Sequence, residues 1–292
     1  MRARIHQVRS ERATASSPSP PSGERAGERG QATNADAAST TSAVPSDNST
    51  FRIPHSALPP VALITGASGG LGRALVAEFL VQGWCVAAGF HRENAHAESD
   101  SLLPLPLDVT SRDAVQSVVT QVLARWQRID LLINNAGLTA DNLSWQLTDD
   151  DWQRVLDVHL KGAFLCAQAV LRPMLKQRDG HILNIASFSA RTGNRGQANY
   201  AAAKAGLLGL TTSLAKEVGA RNVRVNAILP GVLPTPMTAS LTPGQLAAFA
   251  EANALGRLND LVEVAHFTAF LATTQNISGQ FFQLDSRIAR WT

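Results

Sequence analysis

From Leu58 onward, short apolar runs alternate with longer stretches in which apolar residues recur at helical spacing. The runs Val61 to Thr65, Cys85 to Phe90, Leu102 to Val109, Leu131 to Asn134, His181 to Ala186, Arg224 to Leu229 and Gln280 to Leu284 predict strands, with apolar 3.6-residue periodicity between them. That alternation implies βαβ units and a parallel sheet covered on both faces. The third run reads LLPLPLDV, and a proline inside a sheet removes a ladder hydrogen bond. Pro104 and Pro106 are two apart, so both missing N–H groups face the same way. In a doubly wound order 3-2-1-4-5-6-7 this strand is an edge, and an outward proline side costs no hydrogen bond while discouraging pairing with another chain.

The segment before this pattern has a different composition. Residues 1–55 are rich in Ser, Ala, Pro, Thr, Gly and Arg, with too little apolar surface to offset the entropy of ordering, so they read as a disordered extension ahead of a catalytic domain at 56–292. Arg2, Arg4, Arg9 and Arg12 among serines resemble an organelle transit peptide. Glu11, Glu24, Glu28, Asp36 and Asp47 oppose that reading, and a dispensable extension of a cytoplasmic protein is favoured. The formal charge of +3 arises mostly in this segment and lends no support to nucleic-acid binding. With 292 residues and 45% hydrophobic content, one sizeable core is the simplest fit. Cys85 and Cys166, both in apolar runs, suit a reducing compartment rather than a disulfide framework or a zinc site, so no metal is expected. No apolar stretch is long enough for a membrane span.

Chemistry begins at VALITGASGGLGRAL, which sets Gly66, Gly70 and Gly72 between a strand and a helix. Glycine lets a backbone approach a pyrophosphate, and a helix N-terminus offers unpaired N–H groups. A second feature is NYAAAKAG. Tyr200 and Lys204, at i and i+4 of a helical stretch, project from one face, and a cation beside a phenol lowers its pKa toward working pH. Tyr200 is the only tyrosine and Lys204 one of four lysines, so the pairing is poorly explained by chance. Ser187 follows the apolar strand HILNIA, at the carboxyl end that opens into the ligand crevice of such sheets. Its hydroxyl can polarise a carbonyl.

In order along the chain, TGASGGLG, LDVT, NNAG, a serine before YxxxK, and LPG followed by Thr235 resemble the short-chain dehydrogenase/reductase family over about residues 58 to 288. The resemblance implies a single-domain Rossmann fold with a seven-stranded parallel sheet and helices on both faces. It implies that Gly66, Ser68, Gly70, Leu71 and Gly72 hold dinucleotide phosphates, that Asp108 and Val109 flank the adenine, and that Asn135, Ala136 and Gly137 line the cofactor cleft. Ile228 through Thr235, including Pro230 and Gly231, would clamp the nicotinamide, with Thr235 on its carboxamide. Ser187, Tyr200 and Lys204 would form the proton-delivery site, and Tyr200 and Lys204 would also contact the cofactor, Lys204 by bonding the nicotinamide ribose. Two departures stand out. His159, in VHLKG, replaces an asparagine that in the family holds a water on a proton relay; an imidazole near Lys204 should stay neutral and still hydrogen-bond. The family's frequent DGG near the C-terminus is replaced by LDSRIARWT.

The end of the second strand, CVAAGFHREN, decides the cofactor. NAD sites place an acid there, whereas a 2′-phosphate needs a cation. Phe90, His91 and Arg92 supply no acid and one guanidinium, so NADPH is expected, with Arg92 on the phosphate. GLTADNLSWQLTDDDW and TGNRGQANYAAAKAGLLGL are most similar to the 3-oxoacyl-[acyl-carrier-protein] reductases within the family. That similarity implies reduction of a 3-oxoacyl thioester in fatty acid synthesis, with Arg178 and Arg221 docking an acyl carrier protein beside the active-site mouth. The alternatives are another carbonyl or acetoacetyl-CoA reductase, or a catalytically silent dinucleotide-sensing scaffold. The helix of Tyr200 is small or apolar on most faces, which suits burial against another subunit, and family members are commonly homotetramers.

Overall fold

A computed structural model describes residues 58–288; the expected extension, residues 1–55, lies outside the described residues. The elements run β1 (Val61–Thr65), α1 (Gly70–Val81), β2 (Cys85–Phe90), β3 (Leu102–Pro106), α2 (Arg112–Trp126), β4 (Leu131–Asn134), α3 (Asp149–Leu156), a π-helical turn (Asp157–Lys161), α4 (Gly162–Gln177), β5 (Gly180–Ile185), the short α5 (Ser189–Thr192), α6 (Ala198–Val218), β6 (Val223–Leu229), α7 (Pro243–Glu251), α8 (Leu261–Thr273) and β7 (Phe281–Gln283). The strands form one parallel sheet in the order β3-β2-β1-β4-β5-β6-β7. This is the doubly wound Rossmann arrangement expected from the alternation of runs.

Alternation along each central strand divides the core into two layers. In β1, Val61 and Leu63 join α2, α4 and α6 on one face, while Ala62 and Ile64 join α1 and α8 on the other. β1, β4, β5 and β6 are buried at every position, which is why they read as continuous apolar runs. At the edge, Val86 N donates to Ser101 O and Leu107 N donates to Phe90 O, both at 2.7 Å. The odd-numbered residues of β3 therefore bond β2, and Pro104 and Pro106 point their missing donors outward.

One expectation fails. The connection from β2 to β3, residues 91–101, contains no helix. HRENAHAESDS has only two alanines as apolar residues and no stripe to lay on the sheet. An Asx-type bond from His96 N to Asn94 Oδ1 at 2.9 Å bends it instead. The third strand is also shorter than read, because Asp108 turns away to accept from the N and Oγ1 of Thr110 at 2.9 and 2.7 Å.

The sheet order reverses between β1 and β4, so the loops leaving their carboxyl ends diverge and open a crevice. Among the described residues no helix is long and apolar enough to cross a membrane, and no cluster of side chains could hold a metal ion.

Candidate active site

The turn after β1 is shaped by close contacts that only glycine permits. Gly66 adopts φ +64°, and a Cβ there would lie 2.8 Å from Ala136 Cα. A Cβ on Gly72 would lie 2.2 Å from Gly66 O, so the helix start could not close on the turn. Asn135 ties the next loop down: its Nδ2 donates to the carbonyls of Thr65 and Gly66 at 3.0 and 3.1 Å, while Thr65 Oγ1 accepts from the N–H groups of Asn135 and Ala136. At Gly69 no side chain caps α1, and its first turn holds no acid. Its leading N–H groups are free to meet an anion with the positive end of the helix dipole behind them, which fits a pyrophosphate. Thr235, at the end of the clamp segment, packs on Gly70.

The helix-free connection folds back onto this turn. Ser68 Oγ donates to Glu93 O at 2.6 Å, His96 Nε2 lies 3.1 Å from Ala67 O, and Arg73 Nε donates to Ser68 O at 2.9 Å. His91 and Arg92 are exposed here. Burial acts to raise Asp108, but the bonds from Thr110 and the nearby His91 outweigh it and hold its carboxyl below the usual range. Sequence reading missed His96 and Arg73, since neither belongs to a motif and their placement follows from the absent helix.

At the carboxyl end of β5 the chain delivers Ser187, and at the start of α6 it delivers Tyr200 and, one turn later, Lys204. Burial pushes the Tyr200 phenol up to about 12, and Ser187 beside it acts the other way without outweighing it. Burial likewise pushes Lys204 down to about 7. The expectation that the cation lowers the phenol is thus reversed in this structure, and the geometry explains it. Lys204 Nζ lies 5.6 Å from the tyrosine ring centroid and donates instead to Ile185 O at 2.6 Å. Asp141, whose charge also raises the phenol, accepts from Gln197 Nε2 at 2.7 Å.

His159 stands in the π-helical turn, a distortion that often marks functional positions and that no sequence pattern disclosed. Its ring meets Tyr200 edge-on, with centroids 5.1 Å apart, and fills the space that a side chain on Gly137 would need. Nε2 lies 2.7 Å from Leu138 O and 3.1 Å from Leu138 N. One nitrogen cannot donate and accept at once; the shorter contact favours the proton on Nε2. Burial, with the charge of Lys204 second, pushes His159 down to about 3, so the ring is neutral as expected. Nδ1 and the Oδ1 of Asn134 are buried without partners, and both residues line one recess with Lys204.

Arg178 and Arg221 do not stand beside this mouth. They precede β5 and β6, at the amino ends of the strands, whereas Ser187 follows the carboxyl end of β5. Within one chain they are separated from Ser187 by the strand length, about 20 Å at ~3.3 Å per residue. The two loops are joined by Asn222 Nδ2, which donates to Arg178 O at 3.2 Å.

The short chain dehydrogenase family model matches residues 60–246. The chain is 41% identical over 235 residues to the 3-oxoacyl-[acyl-carrier-protein] reductase FabG of Thermotoga maritima, covering 77% of this chain and 96% of that one. To the Escherichia coli protein of the same name it is 41% identical over 220 residues, 74% of this chain and 90% of the other. To the 3-oxoacyl-[acyl-carrier-protein] reductase of Synechocystis sp. it is 39% identical over 237 residues, covering 77% and 95%.

Proposed function

Since this chain belongs to the short-chain dehydrogenase/reductase family, we propose that it reduces the 3-oxo group of an acyl thioester carried on acyl carrier protein, in fatty acid synthesis. The observation that carries the chemistry is the placing of Ser187 beside Tyr200, with Lys204 buried one helical turn away, at the crevice between β1 and β4. The substrate class rests on near-full-length similarity to three reductases of that name.

A reduced nicotinamide dinucleotide in the crevice supplies the hydride. The chain's own residues do the rest. Gly66, Ser68, Gly70, Leu71 and Gly72, with the N-terminus of α1, hold its phosphates; Asp108 and Val109 flank the adenine; Asn135, Ala136 and Gly137 form the floor; Pro230, Gly231 and Thr235 close over the nicotinamide. Ser187 Oγ donates a hydrogen bond to the substrate carbonyl oxygen, and Tyr200 passes its proton to that oxygen as charge develops on it. A phenol held near 12 stays protonated, which suits a donor. Lys204 orders the ribose and feeds the proton path through the recess that it shares with His159 and Asn134.

The decisive assay follows NADPH oxidation with acetoacetyl-CoA and then with a 3-oxoacyl carrier protein; absence of oxidation with both would reject the reading. NADPH rather than NADH is supported by the lack of a carboxylate at Phe90 to Arg92. Arg92 is exposed and screened, so Arg92→Ala should weaken NADPH by about 1.5 kcal/mol, roughly tenfold, and leave NADH unchanged. Equal losses for both cofactors would remove Arg92 from the phosphate.

A pH profile gives a second check. With Lys204 near 7, a step that needs its ammonium runs below that value and fades as pH rises through it. kcat/KM for reduction, which reports the free enzyme, should therefore decline above about 7; a profile flat through that region would take Lys204 out of the path.

Carrier docking on Arg178 and Arg221 belongs to the same reading. Because both lie at the far end of their own sheet, it requires that a second copy bring them to the mouth. The open groove along Leu156, Leu160, Phe164 and Leu210, with Phe164 41% exposed, supports self-association through α4 and α6 as a homotetramer. Two buried free thiols suit a cytoplasmic setting.

A further inference from the structure

The C-terminal segment that replaces the family's glycine pair is built into the active-site wall. Asp285 and Arg287 form an ion pair whose side chains are 2% and 12% exposed. Arg287 Nε donates to Asp285 Oδ2 at 2.5 Å, and Gln283 Nε2 braces the pair by donating to Asp285 Oδ1 at 2.7 Å and to Arg287 O at 2.8 Å. The knot has two outward contacts. On one side Asp285 rests against Gly231, where a Cβ would lie 2.7 Å from its own. On the other, the Arg287 guanidinium carbon sits 3.8 Å above the centre of the Phe188 ring.

Phe188 is the residue between Ser187 and Ser189, on a turn that leads into α5, which packs against α6. Ser189 N donates to Ser187 Oγ at 3.2 Å, Asn194 Nδ2 to Ser189 Oγ at 2.8 Å, and Arg191 N to Phe188 O at 2.9 Å. These bonds lie within residues 187–194 and leave the Phe188 ring itself unbonded. The ring is the point at which this turn meets a buried, ion-paired side chain from elsewhere in the chain. A planar guanidinium stacked on an aromatic face fixes both position and tilt, and its charge, already satisfied by Asp285, is not free to seek solvent. A pair of glycines in place of Ser286 and Arg287 would present no side chain to Phe188.

We propose that Arg287 is a positioning residue for the reduction: held by Asp285, it fixes the Phe188 ring and thereby the Ser187 hydroxyl in register with Tyr200. The inference rests on Ser187 being the group that holds the carbonyl. Arg287 acts through Phe188 and touches neither substrate nor cofactor. The same knot leans on Gly231, so the segment proposed to cover the nicotinamide and the turn carrying the serine share one anchor.

The test uses the full chain and four variants. Arg287→Ala would strand Asp285 without its partner, so Arg287→Lys is used, which keeps a cation but loses the planar face. Phe188→Leu removes the ring and leaves the ion pair intact. Each should lower kcat roughly tenfold with Tm and NADPH affinity close to the parent, since a small misplacement of a reacting group is costly. The double variant should lose no more than the worse single, because both act through one contact. Additive losses, or wild-type kcat in Arg287→Lys, overturn the inference. So does a raised substrate KM at unchanged kcat, which would make Arg287 a substrate contact. Ser187→Ala, assayed alongside, separates the two levels. If it keeps full turnover, the reading of the active site fails. If it is impaired while Arg287→Lys is not, only the positioning role fails.

Discussion

Tyr200→Phe is expected to bind NADPH as the parent chain does while its turnover falls by at least ~10²-fold, the lower range for loss of a general acid. The substitution is sparing. The phenyl ring keeps its edge contact with His159, and the cation 5.6 Å from the ring centroid keeps its bond to Ile185 O. What disappears is the hydroxyl that meets Ser187 and that carries the proton. Because burial holds that proton on the phenol up to about 12, the parent chain has a protonated, neutral donor ready in the reduction direction at any ordinary pH. For the same reason the reverse oxidation, which needs a phenolate, should be slower and should rise with pH. Stopped-flow turnover with a saturating 3-oxoacyl thioester, together with a fluorescence titration of NADPH, checks both halves. Parent-like turnover in the phenylalanine variant would sink the mechanism, and lost NADPH affinity would move Tyr200 from proton donor to cofactor ligand.

The sheet was legible because its centre is buried on both faces. β1, β4, β5 and β6 had to be apolar throughout, and two prolines on one side of β3 had to stand at an edge. The glycine turn and the Tyr200–Lys204 pair were legible for a similar reason, since each depends on residues close in sequence. What was not legible depends on packing between distant segments. The connection after β2 lacks the apolar stripe of a helix, and only the structure shows that it docks His96 and Ser68 instead. The phenol pKa was misjudged because helical spacing brings Lys204 near Tyr200 but does not aim its ammonium, which a backbone carbonyl captures. Arg178 and Arg221 were expected beside the active-site mouth from similarity, but the end of the sheet they occupy follows from strand direction, which similarity alone does not convey.

His159 gives the sharpest contrast between two substitutions. Its Nε2 donates to the C=O of Leu138, one residue past the Asn135 to Gly137 loop, and its Nδ1 is left facing a recess shared with Asn134 Oδ1 and Lys204. A buried acceptor without a partner is costly, and two of them beside a buried ammonium make a polar spot in an otherwise close-packed region. The neutral ring, with its pKa near 3, cannot carry a proton as imidazolium at working pH, so its part in proton resupply is to accept and orient rather than to ionise. His159→Asn keeps an amide able to bond Leu138 and to offer a polar group to Lys204, and it should retain most of the activity. His159→Leu has no such group. It strands the C=O of Leu138, to which Nε2 donates, at ~1–3 kcal/mol and removes the acceptor beside Lys204, so turnover should fall by about 10²-fold with a smaller change in NADPH affinity. The pH profiles separate relay from packing. If the ring acts by accepting from Lys204, the fall of kcat/KM that marks Lys204 should persist in the asparagine variant and be lost or displaced in the leucine variant. Equal turnover in the two variants would reduce His159 to a wedge under Gly137, and the proton would then have to reach Tyr200 without it.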